Sequence, residues 1–447
     1  SHRAQWPGLP GISGWPHPAG PPKPSYTSLR ESRPHMRHCA RLSLVLHDLQ
    51  AQQLAAEVFG ANKTWFLVNG TTCGIQAALM ATCHPGDYVV LPRNCHQSAF
   101  SALIVSGAMP TYVVPEVDLE YGIASPVTAA TVEKALAKKQ LLRQTVGAVL
   151  IVSPTYFGAC ADTAEIVAVC HRYGVPLVVD EAHGAHLSQH PGLPPGALQQ
   201  GADVVVQSTH KVLGSMTQSS MLHCQGSRVC HDRISSALQV LQSSSPSYVL
   251  MASLDAARLQ ISDGTATARA LDAANTARAA IAAMPDIDLL WSCPSTKPPA
   301  SASPVDPFRL TCSFSRLGLT GEEAYKVLEQ DYGIVAELST QQVVVFAFGI
   351  GTTNRHSVKL VEALEALAAT RSGDVQPSAG KEASSVPFAG VIAQCSSAEA
   401  DIAMSPRMAF FAKKDRVAFH SAEGRISGEL LCPYPPGIPV VLPGERL

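Results

Sequence analysis

The amino-acid sequence predicts an α/β protein, with a large domain built on a mostly parallel β-sheet covered by helices on both faces and a smaller α/β unit after it. Three features predict this fold. A strand, turn, helix pattern repeats through the first half of the chain, its strands are short apolar runs bounded by turn residues, and several of them end in polar, reactive sequence. Short strands alternating with helices are the sequence form of right-handed βαβ crossovers, which bury a parallel sheet from both sides. At 447 residues the chain can hold a deep core and more than one domain.

The elements follow in order. Residues 1–43 are rich in Pro, Gly, Arg and Ser and poor in acid, which suits a flexible arm or a targeting segment. From about Leu44 the pattern changes, and DLQAQQLAAEVFG (48–60) spaces its apolar positions as a helix that stops at Gly60. TWFLVNG is a strand ending in a turn, and TTCGIQAALMATCHPGD a helix starting near Thr71. The same order recurs in DYVVLPRNCHQSAFSALIVSG, in VGAVLIVSPTYFGACADTAEIVAVCHRYG and in VPLVVDEAHGAHL, with ADVVVQSTHK following. A helix-rich stretch from Arg233 to Met284 closes a large domain over 44–296, and WSCPSTKPPASASPVDP has the composition of a linker. The smaller unit, 297–370, contains PFRLTCSFS, GLTGEEAYKVLEQDYG, QQVVVFAFGIG and HSVKLVEALEALAAT as strand, helix, strand and helix. A polar linker over 371–386 precedes a C-terminal domain, 387–447, which ends in the proline-punctuated LLCPYPPGIPVVLPGE.

Composition narrows the function classes. Lys plus Arg number 33 and Asp plus Glu 35, a net charge of -2, which argues against a phosphate-tracking surface and so against a nucleic-acid partner. No apolar run approaches the roughly 18 to 20 residues of a membrane span, and a soluble protein is expected. The 12 cysteines contain no Cys-x-x-Cys pair and read as reduced, buried small residues.

In an open parallel sheet, ligands bind outside the carboxyl ends of the strands. Four predicted strands end there in NGTTCG, RNCHQS, DEAHGAH and QSTHK. NGTTCG opens a helix with glycine and hydroxyl residues, and so offers free N–H groups to a phosphate, although a bare Thr N-cap has the same pattern. Asp180 follows VPLVV, and a buried carboxylate at a strand end needs a cation or hydrogen bonds; a protonated pyridine nitrogen satisfies it. Lys211 follows another apolar run and forms a Schiff base with an aldehyde once its neutral amine is favoured. Together the three features specify pyridoxal 5'-phosphate. DEAH also spells a helicase box, but the Gly380-Lys381 pair is followed by Glu382, so no phosphate loop accompanies it. His183 and His186 beside Asp180 and Glu181 lack a HExxH spacing or a third ligand set, so no metal is expected. GIGTTN (349–354) lacks the third glycine of a dinucleotide fingerprint.

The segments AAEVFGANKTWFLVNGTTCG, LPRNCHQSAFSALIVSGAMPTYVVP, SPTYFGAC, VVDEAHGAHL, GADVVVQSTHKVLGSMTQSSMLH, SSSPSYVLMASLDAAR and YPPGIPVVLPGE span about Leu54 to Glu445. In them the chain resembles the fold-type I, pyridoxal-phosphate-dependent ornithine/lysine/arginine decarboxylase family, in its short form without an amino-terminal wing domain. The resemblance implies that Lys211 carries the cofactor, Asp180 keeps its ring nitrogen protonated, and Ala182 and His96 pack on opposite ring faces. It implies a phosphate site from Thr71, Thr72, Cys73, Ser208 and His210, with His183 among the cofactor-binding residues and Glu337 facing the substrate. For each there is a plainer alternative: His96 as a core histidine, Ser208 as a turn former, Glu337 as a surface charge. The implied reaction converts a basic amino acid, arginine or lysine first and ornithine next, to its amine and CO2, feeding polyamine biosynthesis. A homodimer or higher oligomer in the cytoplasm or a plastid stroma is expected with it. The chain departs from the family where a Pro-Gly-His-Lys motif normally precedes the first helix, at Gln97 where lysine is usual and at Ile75 where asparagine is common. Another fold-type I activity, such as an aminotransferase or lyase, and an impaired relative serving as a binding or regulatory subunit remain the alternatives.

Overall fold

The computed structural model describes residues 39–291, 302–371, 401–433 and 437–447. The expected arm (up to 38), the linker residues 292–301 and 372–386 and the Tyr434, Pro435 and Pro436 of YPPGIP lie outside the described residues. The chain divides into two compact units, Ser1–Val45 and Leu46–Leu447, and the described part of the first is the start of helix α1 (Cys39–Phe59). That helix begins nine residues before Asp48, because CARLSLVLH contains no helix breaker, and it ends where expected, at Gly60 with φ +73°.

The second unit is organised on a seven-stranded sheet. Its strands are β1 (Lys63–Leu67), β2 (Tyr88–Pro92), β3 (Met109–Val113), β4 (Val146–Val152), β5 (Leu177–Asp180), β6 (Val204–Gln207) and β7 (Ser220–Cys224), in spatial order β1-β7-β6-β5-β4-β2-β3. Every neighbouring pair from β6 to β3 is parallel; β7 pairs antiparallel with β6 and β1, so one strand of the seven runs against the rest. The crossovers carry helices α2 (Gly70–Thr82), α3 (Gln97–Ser106), α4 (Ala129–Leu141) and α5 (Thr163–Arg172); a single turn, α6 (Thr209–Val212), follows β6.

Alternate strand residues feed two cores, as the pleat requires. Val90, Val149, Ile151, Val179 and Val205 pack on one face with Ile166 and Cys170 of α5, while Val89, Leu91, Leu150, Val178 and Val206 pack on the other with Leu79 of α2 and Leu103 of α3. Helix α2 lies close on that second face, since a Cβ at Gly74 would stand 2.5 Å from Val206 and 2.7 Å from Leu67. Ile75 is fully buried in the same core, where an apolar side chain is at home.

Helices α7 (His231–Leu241), α8 (Tyr248–Ile261) and α9 (Thr265–Ala282) lead to a second sheet of β8 (Asp288–Leu289), β9 (Arg309–Ser313), β10 (Leu338–Ser339) and β11 (Val343–Ala347), in order β8-β9-β11-β10 and antiparallel throughout. Helices α10 (Gly321–Tyr332) and α11 (Asn354–Arg371) share a core with it through Leu328 and Leu364. A Thr320–Glu323 capping box starts α10 and Gly333 ends it. The final part of the expected linker is strand: Ala302–Val305 pairs with Ala159–Ala161. Helix α12 (Pro406–Phe411) belongs to the C-terminal segment, which returns to the large sheet through Arg93 just past β2. The Arg93 guanidinium donates to the carbonyls of Pro439 (2.7 Å) and Val440 (3.0 Å) and pairs with Glu445 at 3.3 Å. Among the described residues no helix is long and apolar enough to cross a membrane.

Candidate active site

The parallel strands deliver their C-terminal ends to one edge, and a cavity of about 210 Å³ opens there. Gly70, Thr71 and Thr72 from the start of α2, His96 from the start of α3, Tyr156 after β4, Asp180, Ala182 and His183 after β5, and Ser208, His210 and Lys211 after β6 all line it. Ile438 of the C-terminal segment lines it too.

At the head of α2, backbone N–H groups lack helical partners and the helix dipole favours an anion. The Thr71 hydroxyl lies 2.6 Å from Ser208 Oγ and 3.1 Å from Ser220 Oγ, so the sheet end and the helix start share one hydroxyl cluster. The Cys73 side chain turns away into the core, where burial pushes its thiol up to about 11; only its backbone belongs to the helix start.

Asp180 is 4% exposed, and Oδ1 accepts the Ala182 N–H at 3.2 Å. Burial raises its carboxyl above the ordinary range, and the nearby Lys211 and the Ala182 N–H pull it back only in part. Such a carboxylate is poised for a further cation. Lys211 is exposed as a residue because it lines an open cavity, yet the protein around its amine is dense enough that desolvation is the largest influence on it and lowers its pKa. Asp180 and Glu337 oppose that lowering, and Arg309 adds to it. Nζ lies 3.0 Å from His183 Nε2 and 5.6 Å from the centre of the Tyr156 ring.

The three cavity histidines are held neutral. His96 caps α3, its Nδ1 accepting the Ser98 N–H at 3.2 Å, and burial followed by the charge of Lys211 lowers it to about 4. His210 donates Nδ1–H to the Ser219 carbonyl at 2.7 Å; its pKa is lowered, by burial first. His183 is the most shielded, lowered well below the ordinary histidine value by burial and then by Lys211 and Arg309. His183 and His186 go to different partners, since His186 Nε2 lies 2.8 Å from Asp306 Oδ1.

Of the residues singled out in the sequence, Thr71, Thr72, His96, Asp180, Ala182, His183, Ser208, His210 and Lys211 meet around the cavity. Cys73 and Glu337 do not line it, and Glu337 is exposed on the small domain, tied to Val345 through its backbone. Tyr156, Ile438 and Arg309 were not foreseen. Tyr156 stands in the SPTYFGAC segment and Ile438 in YPPGIP, so both lay within flagged sequence; Arg309, in a small-domain strand, carried no signal.

Residues 46–356 match the model for the Orn/Lys/Arg decarboxylase major domain, and residues 390–447 match that for the Orn/Lys/Arg decarboxylase C-terminal domain. The chain belongs to the Orn/Lys/Arg decarboxylase family. Similar family members include the arginine decarboxylase of Bacillus subtilis, 38% identical over 89% of this chain and 78% of its own, and that of Bacillus cereus, 37% identical over 88% and 83%. Among solved structures, lysine decarboxylase A from Pseudomonas aeruginosa superposes with a TM-score of 0.75 at 24% identity over 90% of this chain, which spans 65% of that longer protein. A serine palmitoyltransferase titled "SPT with PLP" shares the fold at a TM-score of 0.56 and 15% identity. For an Orn/Lys/Arg decarboxylase the cavity fits the family's cofactor, pyridoxal 5'-phosphate. It has a helix start with hydroxyls for a phosphate, a buried carboxylate short of a cation and a desolvated lysine on the same wall.

Proposed function

We propose that this protein is a pyridoxal-phosphate-dependent carboxy-lyase that converts a basic amino acid, arginine first among the candidates, to the corresponding amine and CO2. One observation carries the reading: Asp180, Lys211 and the hydroxyl-lined start of α2 converge on a single cavity. The relatives at 37% and 38% identity are named arginine decarboxylases, whereas the lysine decarboxylase of Pseudomonas aeruginosa stands at 26%, which favours arginine over lysine.

In this reading the N–H groups at the start of α2, with Thr71, Thr72 and Ser208, hold the phosphate. Asp180 pairs with the ring nitrogen, and its burial is what makes that pairing strong. Lys211 provides the amine that holds the aldehyde carbon. Once bound, the cofactor supplies an electron sink for the pair released as CO2 leaves. Ala182 and the uncharged ring of His96 enclose the cavity and exclude water from it. Lys211 Nζ carries the proton that replaces the departing carboxylate. Glu337, whose charge is felt at Lys211, meets the cationic far end of the substrate. The amine product fits a polyamine precursor. We also propose the domain division 44–296, 297–370 and 387–447, and a homodimer as the working assembly. The nine described cysteines are free, in keeping with a reducing compartment; nothing in the comparisons supports a plastid.

The test incubates the purified protein with pyridoxal phosphate and, separately, arginine, lysine and ornithine, and measures released CO2 and amine. Agmatine from arginine is the expected result, abolished by K211A. A keto acid in place of amine identifies an aminotransferase, and cofactor binding without turnover of any of the three identifies a silent relative.

A further inference from the structure

Arg309 reaches His183 from β9 of the small domain, and the fold is shaped around its passage. Gly158 faces it with φ +97°, and a Cβ there would stand 2.6 Å from Arg309 Cβ. The guanidinium is almost wholly buried. Nη2 donates to His183 Nδ1 at 2.8 Å, and Nε and Nη1 find no partner among the described residues. Burying a cation for a single side-chain hydrogen bond is expensive. The contact therefore has work to do beyond packing.

A guanidinium donates and never accepts. Nδ1 of His183 must then be the bare nitrogen, and the neutral ring carries its hydrogen on Nε2. That nitrogen lies 3.0 Å from Lys211 Nζ. An ammonium has no lone pair to accept a hydrogen, whereas a neutral amine has one.

We propose that Arg309 is a positioning residue which, by fixing the Nε2–H tautomer of His183, selects the neutral amine of Lys211. The neutral amine is the form that attacks an aldehyde: its lone pair makes the new C–N bond, and the carbonyl oxygen leaves as water with the two amine hydrogens. The inference rests on the cofactor reading of the cavity.

Every charged or titratable group facing Lys211 enters the balance. The carboxylates of Asp180 and Glu337 favour the ammonium, while burial and Arg309 oppose it. His96 and His210 are themselves held neutral beside it. The Tyr156 ring packs 4.2 Å from that of His183 and confines it.

The first experiment needs no variant of Arg309. Nitrogen NMR of the apoprotein with labelled histidine, His183 being assigned by its loss in H183F, is expected to show Nε2 protonated and Nδ1 bare. A protonated Nδ1 overturns the proposal. The second follows acetylation of Lys211 by acetic anhydride near neutral pH, read by peptide mass spectrometry. R309M is expected to slow it about fivefold, the worth of one ordinary hydrogen bond. R309K restores the rate, and R309M changes nothing further in the H183F background. An unchanged rate in R309M, or equal slowing with and without His183, assigns the effect to something other than the tautomer and overturns the relay. Neither readout uses turnover. A protein that keeps the tautomer but releases no CO2 from any basic amino acid defeats the decarboxylase reading alone.

Discussion

A carboxylate at the end of a buried strand and a lysine one turn past its neighbour are each costly, and each is relieved by the other's ligand. Asp180→Asn keeps the shape of the side chain and removes the charge that would hold a ring nitrogen. It is expected to lower CO2 release by about two to three orders of magnitude, the scale seen when one preorganised electrostatic group is removed. Circular dichroism should be unchanged. His96 allows a pH prediction. Its folded value of about 4 lies below the ordinary 6.5, so the unfolded chain binds the extra proton between those values. Its contribution to stability is complete above pH 6.5 and is lost as pH falls through about 4. Urea midpoints measured at pH 7 and pH 4.5 should therefore converge for H96F relative to the parent. An equal drop in both proteins would show that His96 is not the group titrating.

At the scale of elements, four adjacent strands of the large sheet are cross-linked by a buried polar ladder. Glu181, just past β5, accepts from Gln207 Nε2 at 2.7 Å; Gln207 Oε1 lies 3.1 Å from His223 Nε2, and His223 Nδ1 lies 2.8 Å from Thr64 Oγ1. Burial raises Glu181 to about 7, against an ordinary 4.5, and lowers His223 to about 3, so the histidine stays neutral while the carboxyl titrates. The sign is opposite to that of His96. The contribution from Glu181 is full below pH 4.5 and lost as pH rises through about 7. E181Q should flatten the fall in stability between pH 6 and 8, checked by denaturant midpoints; an unaltered fall would clear Glu181 of the role. This ladder also marks how far the sequence could be read. The strand ends and their reactive residues were legible because a parallel sheet sends every carboxyl end to one edge, which turns NGTTCG, DEAHGAH and QSTHK into neighbours without further information. The reversal of β7 was not legible: its SMLHC carries no mark of direction, and His223 at its centre finds partners only through pairing with β1 and β6. Arg309 was hidden for the same kind of reason. Its contact with His183 joins residues 126 apart, and a strand reading FRLTC gives no sign that its cation is buried.

Across the whole molecule, the C-terminal segment and the large sheet are fastened at Arg93. Its side chain is 5% exposed, and it meets two carbonyls and Glu445, whose own carboxyl is raised by burial and partly restored by that guanidinium. R93A would leave Glu445 buried without its cation, a change worth about 3–5 kcal/mol. Chemical denaturation should show that loss in R93A and a smaller one in R93A/E445Q, since the double variant removes the stranded charge. Equal losses would mean that the carbonyl contacts dominate. The same fastening places Ile438 on the wall of a cavity whose other residues come from positions 70 to 211. A nascent chain emerging from the ribosome would thus have its sheet, lysine and aspartate folded long before the enclosure around them could close. Vitamin loading is then an event of the released polypeptide, and a ribosome stalled ahead of residue 438 would display a protein that is folded yet still open to water.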